Sequence, residues 1–139
     1  MTSRDPERGA VATEFAIVMA VVLVSFVALA IYGGRVVQVE NDVQSAAHDA
    51  ARAASLERSP EAADAAARAV AAENLAASGV ACAGGSTIAV DLSRFAPGGE
   101  VTVTVTCQAD FRDVGTLGVA TSQSFTASAT EVIDVYRSN

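Results

Sequence analysis

A chain of 139 residues has room for one small domain, with or without one membrane segment. It is 51% apolar, but Ala alone supplies 30 residues, aromatics are 5% and Trp is absent, which excludes a bulky aromatic core. Its 16 acids against 9 bases, every base an Arg, give a net charge of −7, and repulsion from polyphosphate excludes nucleic acid as a partner.

The chain opens on Arg4, Asp5, Glu7 and Arg8, whose charges cancel, and then enters an apolar run. From Phe15 to Tyr32 stand 18 residues without a charge, and Gly33 and Gly34 prolong the stretch until Arg35. As a helix, 18 residues span about 27 Å, close to the roughly 30 Å hydrocarbon core of a bilayer. Tyr32 sits where an interfacial aromatic belongs. Two other readings compete. A soluble core helix that is apolar on every face needs a larger protein around it. A removable signal peptide would use Ala28-Leu29-Ala30 as its A-x-A cleavage site. Against cleavage after Ala30 stand the cancelled n-region charge, Glu14 at the mouth of the run, and the continuation through Ile31 and Tyr32. These residues favour a permanent anchor.

The segment before the run reads Arg8-Gly9-Ala10-Val11-Ala12-Thr13-Glu14-Phe15. A small Gly just outside the bilayer gives a protease access to the backbone. A cut between Gly9 and Ala10 would create an α-amine on Ala10, positive below its pKa of about 8. Glu14, four residues on, lies one helical turn away on the same face. It could neutralise that amine, or the amine of a neighbouring copy. An unpaired carboxylate beside hydrocarbon is costly, which makes Glu14 a functional candidate. The plainer alternative is an interfacial Glu that stays solvated at the helix end.

This R-G-x-x-x-x-E-F pattern, entering a membrane helix, resembles the type IV pilin-like families, most closely the TadE-like proteins of the tight-adherence (Tad/Flp) pilus system. The resemblance implies a prepilin peptidase that cuts between Gly9 and Ala10. It also implies that Glu14, with Phe15 beside it, serves assembly as the fifth mature residue. Ala10 stands where ordinary type IV pilins carry Phe, a departure that the tight-adherence branch tolerates. The resemblance covers the first 35 residues best. The stretch from Glu131 to Arg137 is similar to the P-V-D-x-Y-R endings of some TadE-like proteins, with Val132 in place of Pro.

Beyond Arg35 the helix is expected to continue, because Val36, Val39, Val43, Ala47, Ala50 and Ala54 form a single apolar stripe. One helix from about Thr13 to Leu56 results. Ser59-Pro60-Glu61 restarts the chain as cap, first helical residue and N-terminal acid. A second, Ala-rich helix then runs to about Ala77 and stops at Gly79. After Gly79 the period becomes two. Ile88, Val90 and Leu92 mark one strand, and Pro97-Gly98-Gly99 marks a turn. Val101, Val103, Val105 and Cys107 alternate with Thr102, Thr104, Thr106 and Gln108 in a second strand. A third spans Ser124 to Val135, with Phe125, Ala127 and Ala129 inward and Glu131 on the same parity. The fold class is α+β: a long N-terminal helix, transmembrane then amphipathic, a second helix, and a small antiparallel sheet covered by the amphipathic half.

Cys82 precedes the first strand and Cys107 lies in the second. Bonded, they would stabilise the head by about 3–4 kcal/mol in the chain-entropy model and require an oxidising compartment. The alternative is two unrelated buried thiols. His48 is the single His and reads as solvated; with two Cys it offers no metal site. No P-loop, G-x-S-x-G or G-x-G-x-x-G occurs, and Asp110 and Asp113 have no apolar pocket to separate their pKa values. The chain thus reads as a structural protein, not an enzyme, and without a cofactor. Residues 1–9 are expected as leader, 10–34 as transmembrane helix and 35–139 as an extracytoplasmic pilin-like domain, with the N-terminus cytoplasmic. The resemblance implies a pilin-like (pseudopilin) subunit of the cell membrane that can enter a surface pilus. Its partners would be the membrane, the prepilin peptidase, other pilin-like subunits and the pilus assembly machinery. The alternatives are an unprocessed, membrane-anchored extracytoplasmic adaptor and a secreted domain released after Ala30.

Overall fold

The computed structural model describes residues 6–79, 82, 84–110 and 122–136, with side chains from residue 12 onward. The elements are α1 (Pro6–Leu56), α2 (Pro60–Ala77), β1 (Ser86–Arg94), β2 (Glu100–Asp110) and β3 (Ser122–Val132), an α+β arrangement. The chain divides into two units, Met1–Val36 and Val37–Asn139. Helix α1 begins at Pro6, upstream of the expected Thr13. Pro suits the first helical position because a backbone N–H there would have no intrahelical partner. The leader expected over residues 1–9 lies partly outside the described residues.

Of the expected stripe, the amphipathic half of α1 buries Val39, Val43, Ala47, Ala50 and Ala54 but leaves Val36 half-buried, and it adds Ala46 and Ala51. Such small side chains let a neighbouring element approach the helix axis closely. Helix α2 starts as its sequence prescribes: the Ala62 N–H donates to Ser59 Oγ at 3.2 Å, and Pro60 opens the first turn. Ala63, Ala67, Ala71 and Leu75, spaced by four, form its buried face. At the other end Ser78 N–H donates to the Asn74 carbonyl at 3.0 Å, and Gly79 turns the chain with φ of 71°. Asn74 Nδ2 also donates to Asp49 Oδ2 at 2.8 Å, tying α2 to α1.

The three strands form one antiparallel sheet in the order β1-β2-β3. Val103, in the middle of β2, pairs with Val90 on one side and Ala129 on the other. The inward parity buries Val101, Val103, Val105, Cys107 and Ala109 of β2 with Phe125 and Ala127 of β3. On the other face hydroxyls pair across the strands: Thr102 with Thr130 at 2.8 Å, Thr104 with Ser128 at 3.1 Å and Thr106 with Thr126 at 3.0 Å. The tight β1–β2 connection needs Gly99, because a Cβ there would run into the carbonyl oxygen of Arg94.

The third strand ends at Val132, short of the expected Val135. The pairing nonetheless extends by one rung, where Ile133 N–H donates to Gly99 O at 2.9 Å and Ile133 O accepts from Gly98 N–H at 3.0 Å. Ile133 is thereby placed fully inside the core. Beyond it Tyr136 N–H donates to Asp134 Oδ1 at 2.9 Å, a local turn that stops the ladder. Glu131 keeps the inward parity between Ala129 and Ile133, and its carboxylate lies 3.4 Å from His48 Nε2 at the sheet's margin. His48 is 57% exposed, so it remains largely solvated, with an acid beside it that its own helix does not reveal. Arg137 of the expected terminal motif lies outside the described residues.

Candidate functional site, the apolar half of the first helix

The apolar half of α1 forms a helix because its residues carry no internal breaker before Gly33 and include the strong helix formers Ala, Leu and Met. Its one internal hydroxyl, Ser25 Oγ, donates to the Val21 carbonyl one turn back at 2.8 Å. That bond leaves no unsatisfied donor on a segment surrounded by apolar side chains. Ala28 and Tyr32 are half-buried; the other residues from 12 to 35 are exposed, including Phe15 at 67%, Phe26 at 69% and Leu29 at 67%. An isolated Leu on a surface needs no explanation, but exposed apolar residues over more than five turns do. By length and composition this helix is long and apolar enough to cross a membrane, with a mean hydropathy of 2.8 over an 18-residue stretch. It is a candidate membrane span.

Each expected site residue has a place on the chain. Gly9 and Ala10 fall within α1, and the side chain of Ala10 is outside those described. The helix therefore runs without a break through the Gly9–Ala10 bond. Glu14 follows Ala10 by one turn of the same helix and is exposed. Phe15, next to it, is exposed as well. No ion pair among the described residues engages Glu14.

Cys82 and Cys107 are bonded, with their Cα atoms 5.3 Å apart. Cys107 is fully buried on the inward parity of β2, and Cys82 is half-buried in the link between α2 and β1. The bond fastens that link to the sheet, where Gly84 N–H donates to Gln108 O at 3.3 Å and Gln108 N–H donates to Gly85 O at 3.2 Å. The alternative of two separate thiols is set aside.

Arg68 joins the helix layer to the sheet in a way that the sequence pattern does not reveal. Arg68 Nε bonds Asp64 Oδ2 at 2.8 Å, while its Nη1 donates to the Ile88 carbonyl of β1 at 2.7 Å. The Asp64–Arg68 spacing of four is readable as a helical ion pair; the reach to β1 is not. Asp64 is held below the ordinary Asp range, first by the hydrogen bond from Arg68 and further by that residue's charge. Asp91 is lowered too, chiefly by the Ser93 backbone N–H, which donates to its Oδ1 at 2.9 Å.

No curated protein and no solved structure matches the chain. Residues 9–52 match the family model described as TadE-like protein. That span opens on Gly9, takes in Glu14 and the whole apolar run, and closes within the amphipathic half of α1. Over that span the chain is similar to TadE-like proteins.

Proposed function

We propose that this chain is a pilin-like subunit that takes part in assembling a tight-adherence type pilus. The observation that carries the reading is the coincidence of two features: residues 9–52 match the TadE-like model, and the same segment holds an uncovered apolar helix with Glu14 at its mouth. In the precursor, residues 15–32 anchor the chain in the cell membrane, with the leader on the cytoplasmic side and residues 35–139 outside. The Cys82–Cys107 bond supports an extracytoplasmic head, because a structural disulfide persists in an oxidising compartment. A prepilin peptidase removes residues 1–9. Since the backbone is helical there, the bond must first unwind locally, and Gly9 lowers the cost of doing so relative to Ala.

After the cut, the Ala10 amine and Glu14 are complementary charges one helical turn apart. In a bundle of several copies the apolar flanks of these helices exchange lipid for one another, while Glu14 neutralises an amine that hydrocarbon would penalise. The chain's part in this process is packing and charge pairing, not catalysis.

The test isolates the protein from native membranes and determines its intact mass and N-terminal residue. A mature chain beginning at Ala10, recovered with other pilin-like subunits after crosslinking, is the expected result. A chain that retains Met1 and crosslinks to no such subunit would support the anchored adaptor instead. A soluble chain beginning at Ile31 would support the secreted domain.

A further inference from the structure

Gly33 and Gly34 stand side by side inside α1, where the apolar run ends and Arg35 begins. Helix interiors disfavour glycine, so a pair of them needs a reason. Neither of the two usual reasons applies. Neither residue has a positive φ, so the backbone conformation is open to any L-residue. A Cβ added at either position would meet nothing within 4 Å, so packing within the chain does not exclude a side chain. The division between the two units also falls just beyond them, after Val36. On one side the helix is apolar and exposed; on the other, from Val39, it buries a stripe in the head.

We infer that Gly33-Gly34 is a hinge built into α1, where the helix opens locally while the segments on either side stay helical. The amides of residues 34–38 donate to the carbonyls of residues 30–34, so these are the bonds that the pair weakens. Each glycine favours the open form over the helix by about fivefold relative to alanine, and the two together by about twentyfold. Their position adds to the effect. Immediately past Tyr32 and beside Arg35, the backbone reaches water, and bare glycines let that water compete for the carbonyls. Bending here would let the apolar segment change direction without disturbing the core that begins at Val39. The inference goes beyond the pilus reading and does not depend on it, since an anchored adaptor would carry the same hinge.

The experiment compares amide hydrogen exchange of the full-length protein in detergent micelles with that of the double variant Gly33→Ala/Gly34→Ala, both corrected for intrinsic rates. In the unsubstituted protein, the amides of residues 34–38 should exchange at least tenfold faster than those of residues 44–48. In the double variant they should slow by about twentyfold, with residues 44–48 and the head unchanged. The substitutions enter open space, so folding is preserved. Equal protection of the two windows in the unsubstituted protein would overturn the hinge. So would unchanged exchange in the double variant; if that variant also lost association between copies, the glycines would instead serve close approach of a second helix.

Discussion

Glu14 carries the sharpest consequence of any single residue. If it neutralises the Ala10 amine of a neighbouring copy, Glu14→Gln should still insert and still be cut, because a neutral amide is no harder to place at a helix end. Association of the cut subunits should fall by orders of magnitude, since removing one member of a buried charge pair costs about 3–5 kcal/mol. A Glu that merely stays solvated at the interface would instead show a change of about 0–1 kcal/mol. Crosslinking yields of the two proteins decide between these. Elsewhere the expected charge effects are small. Asp64 titrates below its unfolded value because Arg68 bonds it, so this pair's contribution is fully present above the ordinary Asp pKa of about 3.9 and is lost as pH falls through the lower folded value. Both side chains are well exposed, which limits the size of the effect. The difference in thermal midpoint between Asp64→Asn and the unsubstituted protein should therefore be present at pH 7 and vanish in strong acid. A difference that grows on acidification would contradict the assignment.

Among the elements, what is readable from sequence follows the strength of each local signal. Helix α2 and strand β2 lie where their patterns put them, because Ser59-Pro60 and the Val/Thr alternation leave few competing structures. The start of α1 and the end of β3 depart from expectation for a shared reason: both are set by terminal chemistry, not by periodicity. Pro6 starts a helix ahead of the apolar signal, and the Asp134 turn closes a ladder whose parity continues to Ile133. The disulfide is left open against two separate thiols until the link before β1, bonded through Gly84 and Gly85 to Gln108, brings Cys82 beside Cys107; the reach of Arg68 to Ile88 depends on a separation of 20 residues that no local pattern encodes. Close packing of small residues is the feature of the head most exposed to test. Ala50 has no accessible surface, so Ala50→Leu should destabilise the head by about 1–3 kcal/mol through overpacking. Val103→Ala, which leaves a void on the central strand, should cost about 2 kcal/mol. Denaturant midpoints of the disulfide-intact protein measure both, and a neutral Ala50→Leu would mean that the helix stands off from its neighbours.

For the whole molecule, the proposed role asks one chain to serve first as a membrane precursor and then as an assembling subunit. The head has its own core from Val39 onward and its own disulfide, both within the second unit, whereas the proposed cut at Gly9–Ala10 belongs to the first. The two events should therefore be separable by substitution. Gly9→Phe puts a bulky side chain at the bond that a membrane-edge protease must reach, and it removes the residue that eases local unwinding there. The variant should accumulate in the membrane at the mass of the full precursor, nine residues longer than the mature chain. Its head should be unaffected. Alkylation without reductant should label neither Cys82 nor Cys107, and full labelling of both should require reduction after denaturation. Substituting either Cys should leave the trimming at Gly9 intact while lowering head stability by about 2–5 kcal/mol. Intact mass reports the first event and thiol labelling the second, on the same sample. Normal trimming of the Gly9→Phe variant would remove the prepilin-type cut from the account, while leaving the anchor and the disulfide-closed head in place.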